Sequence, residues 1–179
     1  MPWHIHEEIG VSDRTSIFSL SPEQGKVLFV LGDVVTLKLS GAETGGAFSM
    51  VESISAPGGG AAFLHSHGQQ ETFCIQDGDF ELYGQDENGD KYTIPASAGA
   101  TVHVPGNVAH GFRNVGDTPG RIRTVFEPAG GMIDFFEELG VPMESASDPL
   151  PFDKMPSPQR IEEALKKYNI QMLETPGVD

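Results

Sequence analysis

Short apolar runs, separated by small and polar residues, dominate the first two thirds of the chain. Residues 27–30 form one run, and Gly32-Asp33 has the composition of a hairpin turn into a second run at residues 34–39. The second run is rich in β-branched residues, which is typical of a strand. Residues 48–54 mostly alternate, so the pattern puts Phe48, Met50, Glu52 and Ile54 on one face. Three strands are predicted here, with a loop at residues 41–46.

The pattern of short apolar runs separated by turn-forming residues continues to residue 126. Turn-forming Asp77-Gly78-Asp79 and Asn88-Gly89 separate further runs with β propensity. Strands are predicted near residues 16–20 and over residues 73–75, 80–83, 92–94, 101–104, 111–114 and 121–126. The 22 glycines and 13 prolines agree with many short strands joined by tight turns. The prediction is an all-β fold, a small antiparallel barrel or jelly roll.

The pattern changes after residue 127. Met132, Phe135, Phe136 and Leu139 recur at helical spacing before Gly140, which predicts a short amphipathic helix. After a proline-rich stretch that is expected to wrap the surface, Ser157-Pro158 predicts the start of a second helix. Its apolar face comprises Ile161, Ala164, Leu165 and Tyr168. We therefore expect one domain with an N-terminal arm (1–26), a barrel (27–130) and a C-terminal helical extension (131–179).

Charge and composition narrow the classes of function. A net charge of −15 argues against a nucleic-acid partner and against docking on an anionic membrane. The N-terminus has no signal-peptide pattern and no run is apolar enough to span a bilayer, so a cytoplasmic location is expected. The single cysteine, Cys74, rules out an intrachain disulfide and is interpreted as a small buried apolar residue.

One histidine pair indicates a metal site. His65 and His67 are two residues apart, so in a strand both imidazoles point to the same face. Glu71 can return a carboxylate to that point after a bend at Gly68, and His110 would be the fourth ligand. Three imidazoles and one carboxylate suit one divalent transition metal, Fe, Mn, Ni, Co, Cu or Zn, with coordination positions left open. The alternative is that these side chains are only packed in the core. His4-x-His6 has the same spacing but no accompanying ligand, and is interpreted as incidental.

The wider spacing resembles the cupin family. Gly59, five residues, His65-x-His67, three residues, Glu71, six residues and Gly78 resemble the first cupin motif. Gly99, five residues, Pro105, then His110 and Asn114 resemble the second, although the usual Pro-x-Gly is here Pro105-Gly106-Asn107. The resemblance implies a cupin-type barrel with the metal inside. It also implies a homodimer.

Within that family the chain resembles single-domain quercetinase-like flavonol dioxygenases. The features are one cupin module, the segment 135–140 directly after the barrel, and a proline-rich extension ending in a helix. The resemblance implies that Glu71 is both a metal ligand and the catalytic base that takes the proton of the substrate hydroxyl. The expected partners are dioxygen and an aromatic or enolic small molecule such as a flavonol.

Several further residues are candidates for the substrate site. An apolar pocket is predicted from five side chains, namely Phe48, Met50, Phe63, Phe73 and Phe112. His103 could line the cavity, but an outward orientation is favoured, and Glu52 is either buried or a surface charge. Arg113, Arg121 and Arg123 could bind an anion, although solvated arginines are more frequent. Two other functions stay open, a non-redox cupin isomerase or decarboxylase and a metal-containing binding protein without turnover.

Overall fold

The computed structural model describes residues 17–173. The predictions for His4, His6 and the C-terminal tail lie outside this range. The strands are β1 (Lys26–Val30), β2 (Asp33–Leu39), β3 (Ser49–Ser55), β4 (His65–Ser66), β5 (Gln70–Asp77), β6 (Asp79–Gln85), β7 (Lys91–Ser97), β8 (Thr101–Val104), β9 (His110–Asn114), β10 (Gly120–Glu127), β11 (Val141–Met143) and β12 (Gln171–Met172). The helices are α1 (Gly41–Thr44), α2 (Met132–Leu139) and α3 (Pro158–Lys167), with a 3-10 turn at Phe152–Lys154.

The strands form two antiparallel sheets. The larger has the order β11-β1-β2-β3-β10-β5-β8, and the smaller has the order β12-β4-β9-β6-β7. Strands that are distant in sequence pair within both sheets, as in β3 with β10 and β4 with β9. The all-β jelly-roll prediction is confirmed. The two sheets form a sandwich and do not close into one barrel.

The inner face of β3 differs from the predicted one. Ser49, Val51, Ser53 and Ser55 are buried, whereas Met50, Glu52 and Ile54 alternate with them and are only half-buried. The outer positions carry large apolar residues, which made the two faces look reversed in the sequence. Burial within the sandwich selects the face with the smaller side chains, because the opposite sheet packs against it.

The hairpin between β1 and β2 also differs by one position. Val30 pairs with Asp33, so the turn residues are Leu31 and Gly32, both with positive φ (50° and 112°). Asp33 is the first residue of β2 and is buried. This places a carboxylate inside the sandwich instead of at a turn.

Two short segments differ from the predictions. The loop expected at residues 41–46 contains α1, whose start has a capping box in which Ser40 accepts from Ala42 and Glu43 reaches back to the Ser40 amide. The strand expected near residues 16–20 is absent from residues 17–20.

Both predicted C-terminal helices are present. Helix α2 ends before Gly140, and Ser157 caps α3 by accepting from the Arg160 amide at 3.3 Å, with Pro158 in the first turn. Met132, Phe135 and Leu139 of α2 and Ala164 of α3 pack in one apolar cluster with residues of β1, β2 and β3. The helices therefore cover part of the interior between the sheets.

The proline-rich segment between the helices lies along the sheet. Its first residues form β11, which pairs with β1, and Phe152 packs edge-on against Phe29 with ring centroids 5.0 Å apart. The predicted wrapping of this segment is confirmed. It covers the outer side of β1, where Phe29 is buried.

Candidate metal centre

Two neighbouring strands of the smaller sheet bring two of the predicted ligands side by side. His65 on β4 pairs directly with His110 on β9, and their ring centroids are 4.4 Å apart. His67 follows β4, and its ring lies 5.2 Å from that of His110. The three imidazoles therefore converge from positions 65, 67 and 110, and all three side chains are buried.

Glu71 reaches the same point from the larger sheet. It lies on β5, is 4% exposed, and its Oε1 is 2.5 Å from His67 Nε2 and 3.4 Å from His110 Nε2. One potential ligand atom from each of the four residues lies within 4.8 Å of the others. The centre thus joins the two sheets across the interior.

Hydrogen bonds orient two of the rings. His65 Nδ1 lies 3.1 Å from the Phe63 carbonyl, and His110 Nδ1 lies 2.8 Å from the Val108 carbonyl. A carbonyl can only accept, so each Nδ1 donates, and in a neutral ring the Nε2 lone pair is left free. His110 Nε2 is buried without a hydrogen-bond partner and faces Glu71 at 3.4 Å. A lone pair facing a carboxylate oxygen is stabilised by a cation between them, so the donor set fits a divalent metal.

Glu71 and His65 are in the protonation states that bind a metal. Burial is the largest influence on Glu71 and raises its pKa, but His110 and His67, whose Nε2 atoms lie 3.4 and 2.5 Å from its carboxylate, outweigh it and lower the pKa to about 2. Burial lowers the pKa of His65 to about 4, helped by His110. Burial also lowers the pKa of His110, yet Glu71 more than offsets this and the net shift is upward. Glu71 thus favours a proton on His110, and metal binding would displace that proton, because only a neutral imidazole binds a cation.

The unusual second motif still places His110 correctly. Asn107 has φ 64°, and its backbone amide donates to the His67 carbonyl at 2.7 Å. A side chain at Gly106 would lie 2.4 Å from the Gly68 carbonyl oxygen. Asn107 therefore takes the left-handed position, which asparagine tolerates better than most residues, and Gly106 allows the close approach.

A cavity of about 110 Å³ adjoins the centre, and His65 and Glu71 are part of its wall. Most of the remaining wall is apolar and includes the aromatic residues Phe63, Phe73, Phe112, Phe126, Phe135 and Phe136. Three of the five predicted pocket residues, Phe63, Phe73 and Phe112, thus line it. The other two, Phe48 and Met50, do not, because the inner face of β3 is the one that carries Val51.

Met50 and Glu52 lie in a second groove, on the outer face of the larger sheet. Glu52 accepts from Arg123 at 2.6 Å and lies 3.9 Å from Lys38, and Arg121 also lines the groove. Glu52 is thus an outward-facing residue in an ion pair. Arg121 and Arg123 do not line the cavity beside the metal centre.

The remaining candidates lie outside the centre. His103 is exposed, as favoured from the sequence, and its Nδ1 is 3.2 Å from Thr72 Oγ1. Arg113 is exposed and lies 3.6 Å from Glu81. Cys74 is half-buried, not fully buried, because it alternates with the inward-facing Phe73 on β5.

Sequence reasoning did not identify all residues of the cavity wall. Asp33, Thr124 and Phe126 line it, and all three are buried. Alternation along residues 122–126 could have identified Thr124 and Phe126 as inward-facing. Asp33 was not identified, because Gly-Asp is a common turn sequence and the pattern placed this residue in the hairpin turn.

Comparisons with known proteins agree with this fold. Residues 52–126, which contain all four candidate ligands, match the family model described as cupin domain. No curated protein matches the sequence. Together with the two-sheet architecture, the family match confirms the cupin-type jelly roll expected from the motifs.

Two solved structures are similar to part of this chain. An oxalate decarboxylase from Bacillus subtilis is 16% identical, with a TM-score of 0.52, over 65% of this chain and 31% of that chain. A recombinant oxalate oxidase in complex with glycolate is 27% identical, with a TM-score of 0.49, over 55% of this chain and 52% of that chain. The chain thus covers about half of the oxidase and about a third of the decarboxylase. The decarboxylase likeness shows a shared fold.

Proposed function

We propose that this protein is a metal-dependent dioxygenase of quercetinase type, acting on an aromatic or enolic small molecule. The observation that carries the proposal is the position of the metal centre. His65 and Glu71 form part of the wall of a cavity that six phenylalanines line. Few polar groups beside a large apolar surface are typical of a site for a mostly apolar ligand.

Glu71 has the properties that the proposed reaction needs. Its low pKa keeps it ionised at neutral pH, so an unprotonated carboxylate faces a substrate hydroxyl at the cavity wall. A low pKa alone makes a weak base, and the transfer would depend on the bound metal to lower the pKa of that hydroxyl. His65, His67, His110 and Glu71 would hold the metal, which would supply Lewis acidity and, for Fe, Mn, Ni, Co or Cu, redox chemistry.

The aromatic wall orients the substrate and excludes water. Phe73 and Phe112 pack with ring centroids 5.6 Å apart, and Phe73 lies 6.3 Å from His110. Phe135 and Phe136 of α2 contribute to the same wall, as expected if this helix covers the cavity. An aromatic substrate gains both burial and ring contacts in such surroundings.

Oxalate chemistry is the function suggested by the names of the structural neighbours, but the cavity does not favour it. Oxalate is a small dianion, and no lysine or arginine is among the described residues that line this cavity. The bound metal would compensate the carboxylate that it contacts, but the other end of the dianion would face a mostly apolar wall without a cationic side chain. The likeness at 16% identity concerns the fold, which hosts many activities.

The size of the cavity favours a second candidate, a metal-containing binding protein for small ligands. Its volume of about 110 Å³ is below the roughly 300 Å³ at the lower end of sites for drug-sized ligands. A single ring fits this space, whereas a three-ring flavonol requires α2 or α3 to shift outward. The size of the ligand that binds therefore distinguishes a dioxygenase for flavonols from a binding protein for one-ring ligands.

Oxygen uptake by metal-loaded protein tests the proposal, using a series of enolic and phenolic compounds from one ring to a flavonol. We expect substrate-dependent uptake that falls by roughly 100-fold or more in Glu71→Gln, the scale of a lost general base. Glu81→Gln is the matched control, because that carboxylate lies on β6 beside the exposed Arg113. Full metal occupancy without uptake for any compound would overturn the dioxygenase and leave the isomerase, decarboxylase or binding protein.

A further inference from the structure

A second buried carboxylate lines the cavity apart from the metal centre. Asp33 is 9% exposed and, being two positions before Val35 on β2, shares its inward face. Both residues belong to the cavity wall, together with Gly60. The polar groups of this mostly apolar cavity thus include one carboxylate that the metal centre does not use.

Only one of the two carboxylate oxygens of Asp33 has a hydrogen-bond partner. Ser55 Oγ donates to Oδ2 at 2.9 Å, whereas Oδ1 is buried without a hydrogen-bond partner. The Gly60 amide lowers the pKa of Asp33, but no hydrogen bond of good geometry joins them. An unsatisfied buried oxygen is costly, and a donor from a bound molecule would remove that cost.

The loop that follows β3 has hydrogen bonds that do not involve Asp33. Asn114 Nδ2 donates to the Ser55 carbonyl at 2.9 Å, and the Gly59 amide donates to the Ala56 carbonyl at 2.8 Å. Neither of these bonds uses Oδ1 of Asp33. A structural role alone therefore leaves Oδ1 unexplained.

The chain limits how far Asp33 can lie from the metal centre. Gly59 and Gly60 lie beside Asp33, since a side chain at Gly59 would lie 3.2 Å from Oδ1. Gly60 precedes His65 by five positions, which span at most about 17 Å in an extended chain. A ligand of two or three rings can therefore reach from the metal centre towards Asp33 once α2 or α3 shifts outward to admit it.

We propose that Asp33 is a specificity-determining residue of this cavity. It accepts a hydrogen bond from a hydroxyl at the end of the ligand remote from the metal centre, while the apolar wall holds the part between. The preferred ligands are thus elongated, mostly apolar molecules with an enolic oxygen at one end and a hydroxyl at the other. This deepens the proposed function, because it rests on the same cavity as the ligand site.

The test compares flavonol with analogues that each differ from it only by one remote hydroxyl. Flavonol carries the enolic hydroxyl alone, and its analogues carry one more hydroxyl on either outer ring. Dissociation constants are measured by fluorescence titration with metal-loaded protein under nitrogen, so that no turnover occurs. We expect at least one hydroxylated analogue to bind roughly tenfold or more tightly than flavonol, as for a hydrogen bond to a charged acceptor.

Three variants show whether Asp33 causes this preference. Asp33→Val should reduce the ratio of the two dissociation constants to about one, and Asp33→Asn should reduce it partly, since the amide oxygen still accepts. Thr36→Val is the control, because Thr36 lies on the other face of β2 and does not line the cavity. A general loss of folding would weaken both probes together, and the ratio would not change.

Each outcome separates the two proposals. An equal affinity of wild type for both probes, or a ratio that persists in Asp33→Val, overturns the role of Asp33 while flavonol binding stands. Failure of every probe to bind overturns both the ligand site and the role of Asp33. Preferential binding under nitrogen followed by no oxygen uptake in air supports Asp33 and overturns the dioxygenase.

Discussion

At the scale of single residues, two buried carboxylates in one cavity wall have opposite protonation behaviour. Histidines surround Glu71 and lower its pKa to about 2. Asp33 has only Ser55 and the Gly60 backbone near it, so burial dominates and raises its pKa to about 6. The first carboxylate is stabilised in its ionised form, and the second is destabilised in that form.

Asp33→Asn should therefore stabilise the protein at neutral pH. The folded state holds the Asp33 proton more tightly than the unfolded state, so wild type loses stability as pH rises from about 4 to about 6. Above this window the variant should gain up to roughly 3 kcal/mol, from a shift of about two pKa units. Urea unfolding of wild type and Asp33→Asn at pH 4 and pH 7.5 measures this difference in the free energy of unfolding. The same difference at the two pH values would contradict the raised pKa of Asp33.

The four candidate ligands could be predicted from the sequence, two from their spacing and two from the resemblance to the cupin motifs. His65 and His67 are separated by one residue in extended chain, and the two motifs locate Glu71 and His110. The orientation of Met50 could not be predicted, because both faces of β3 carry apolar side chains. Which face is buried depends on the opposite sheet, and that contact is absent from the local pattern.

At the scale of elements, the turn between β8 and β9 positions His110. Asn107→Ala should lower the free energy of unfolding by about 1 kcal/mol, because alanine has no side chain to favour the left-handed conformation. It should also weaken metal binding, because the left-handed conformation of residue 107 aims its backbone amide at the His67 carbonyl, and a distorted turn would shift that contact. Asn107→Gly is the matched control and should retain metal affinity. Urea unfolding measures the change in stability, and calorimetric titration with Mn²⁺ or Zn²⁺ measures the metal affinity of each variant. Equal affinities in the two variants would contradict the positioning role.

Helix α2 should control which ligands fit. Phe136 is half-buried and lines the cavity, with its ring 6.0 Å from that of Phe126. Phe136→Ala should widen the cavity and raise the affinity for a flavonol relative to a one-ring enol. Ile133→Ala on the same helix is the control, because Ile133 does not line the cavity. Relative dissociation constants test this, and an unchanged ratio in Phe136→Ala would show that α2 does not limit size.

The two longer helices were predictable and the shortest was not. Residues 132–139 repeat apolar side chains at helical spacing, and Ser157-Pro158 is a strong start signal. Helix α1 has only four residues, too few for a period to emerge, although Ser40 and Glu43 have the spacing of a capping box.

At the scale of the whole molecule, the candidate metal centre links the two sheets. Glu71 belongs to the larger sheet, whereas His65 and His110 belong to the smaller. A bound cation should therefore stabilise the folded state as a whole, by roughly 3 kcal/mol at a free metal concentration one hundred times the dissociation constant. Thermal unfolding with and without added Mn²⁺ tests this; an unchanged midpoint despite measured binding would contradict it.

Other properties of the whole molecule stay predictions. No helix among residues 17–173 is long and apolar enough to cross a membrane. The homodimer is tested by light scattering of the purified protein, and the cytoplasmic location by fractionation of cells. Neither affects the ligand geometry, which lies within one chain.

Metal content tests the central claim most directly. Untagged wild type, His110→Gln and His103→Gln are purified in parallel and measured by elemental analysis, with His103 as the exposed histidine outside the cluster. We predict about one transition-metal ion per chain in wild type and in His103→Gln, and a large loss in His110→Gln. Wild type that holds no transition metal even after incubation with Mn²⁺, Fe²⁺ or Zn²⁺, or equal metal content in all three proteins, would contradict the account.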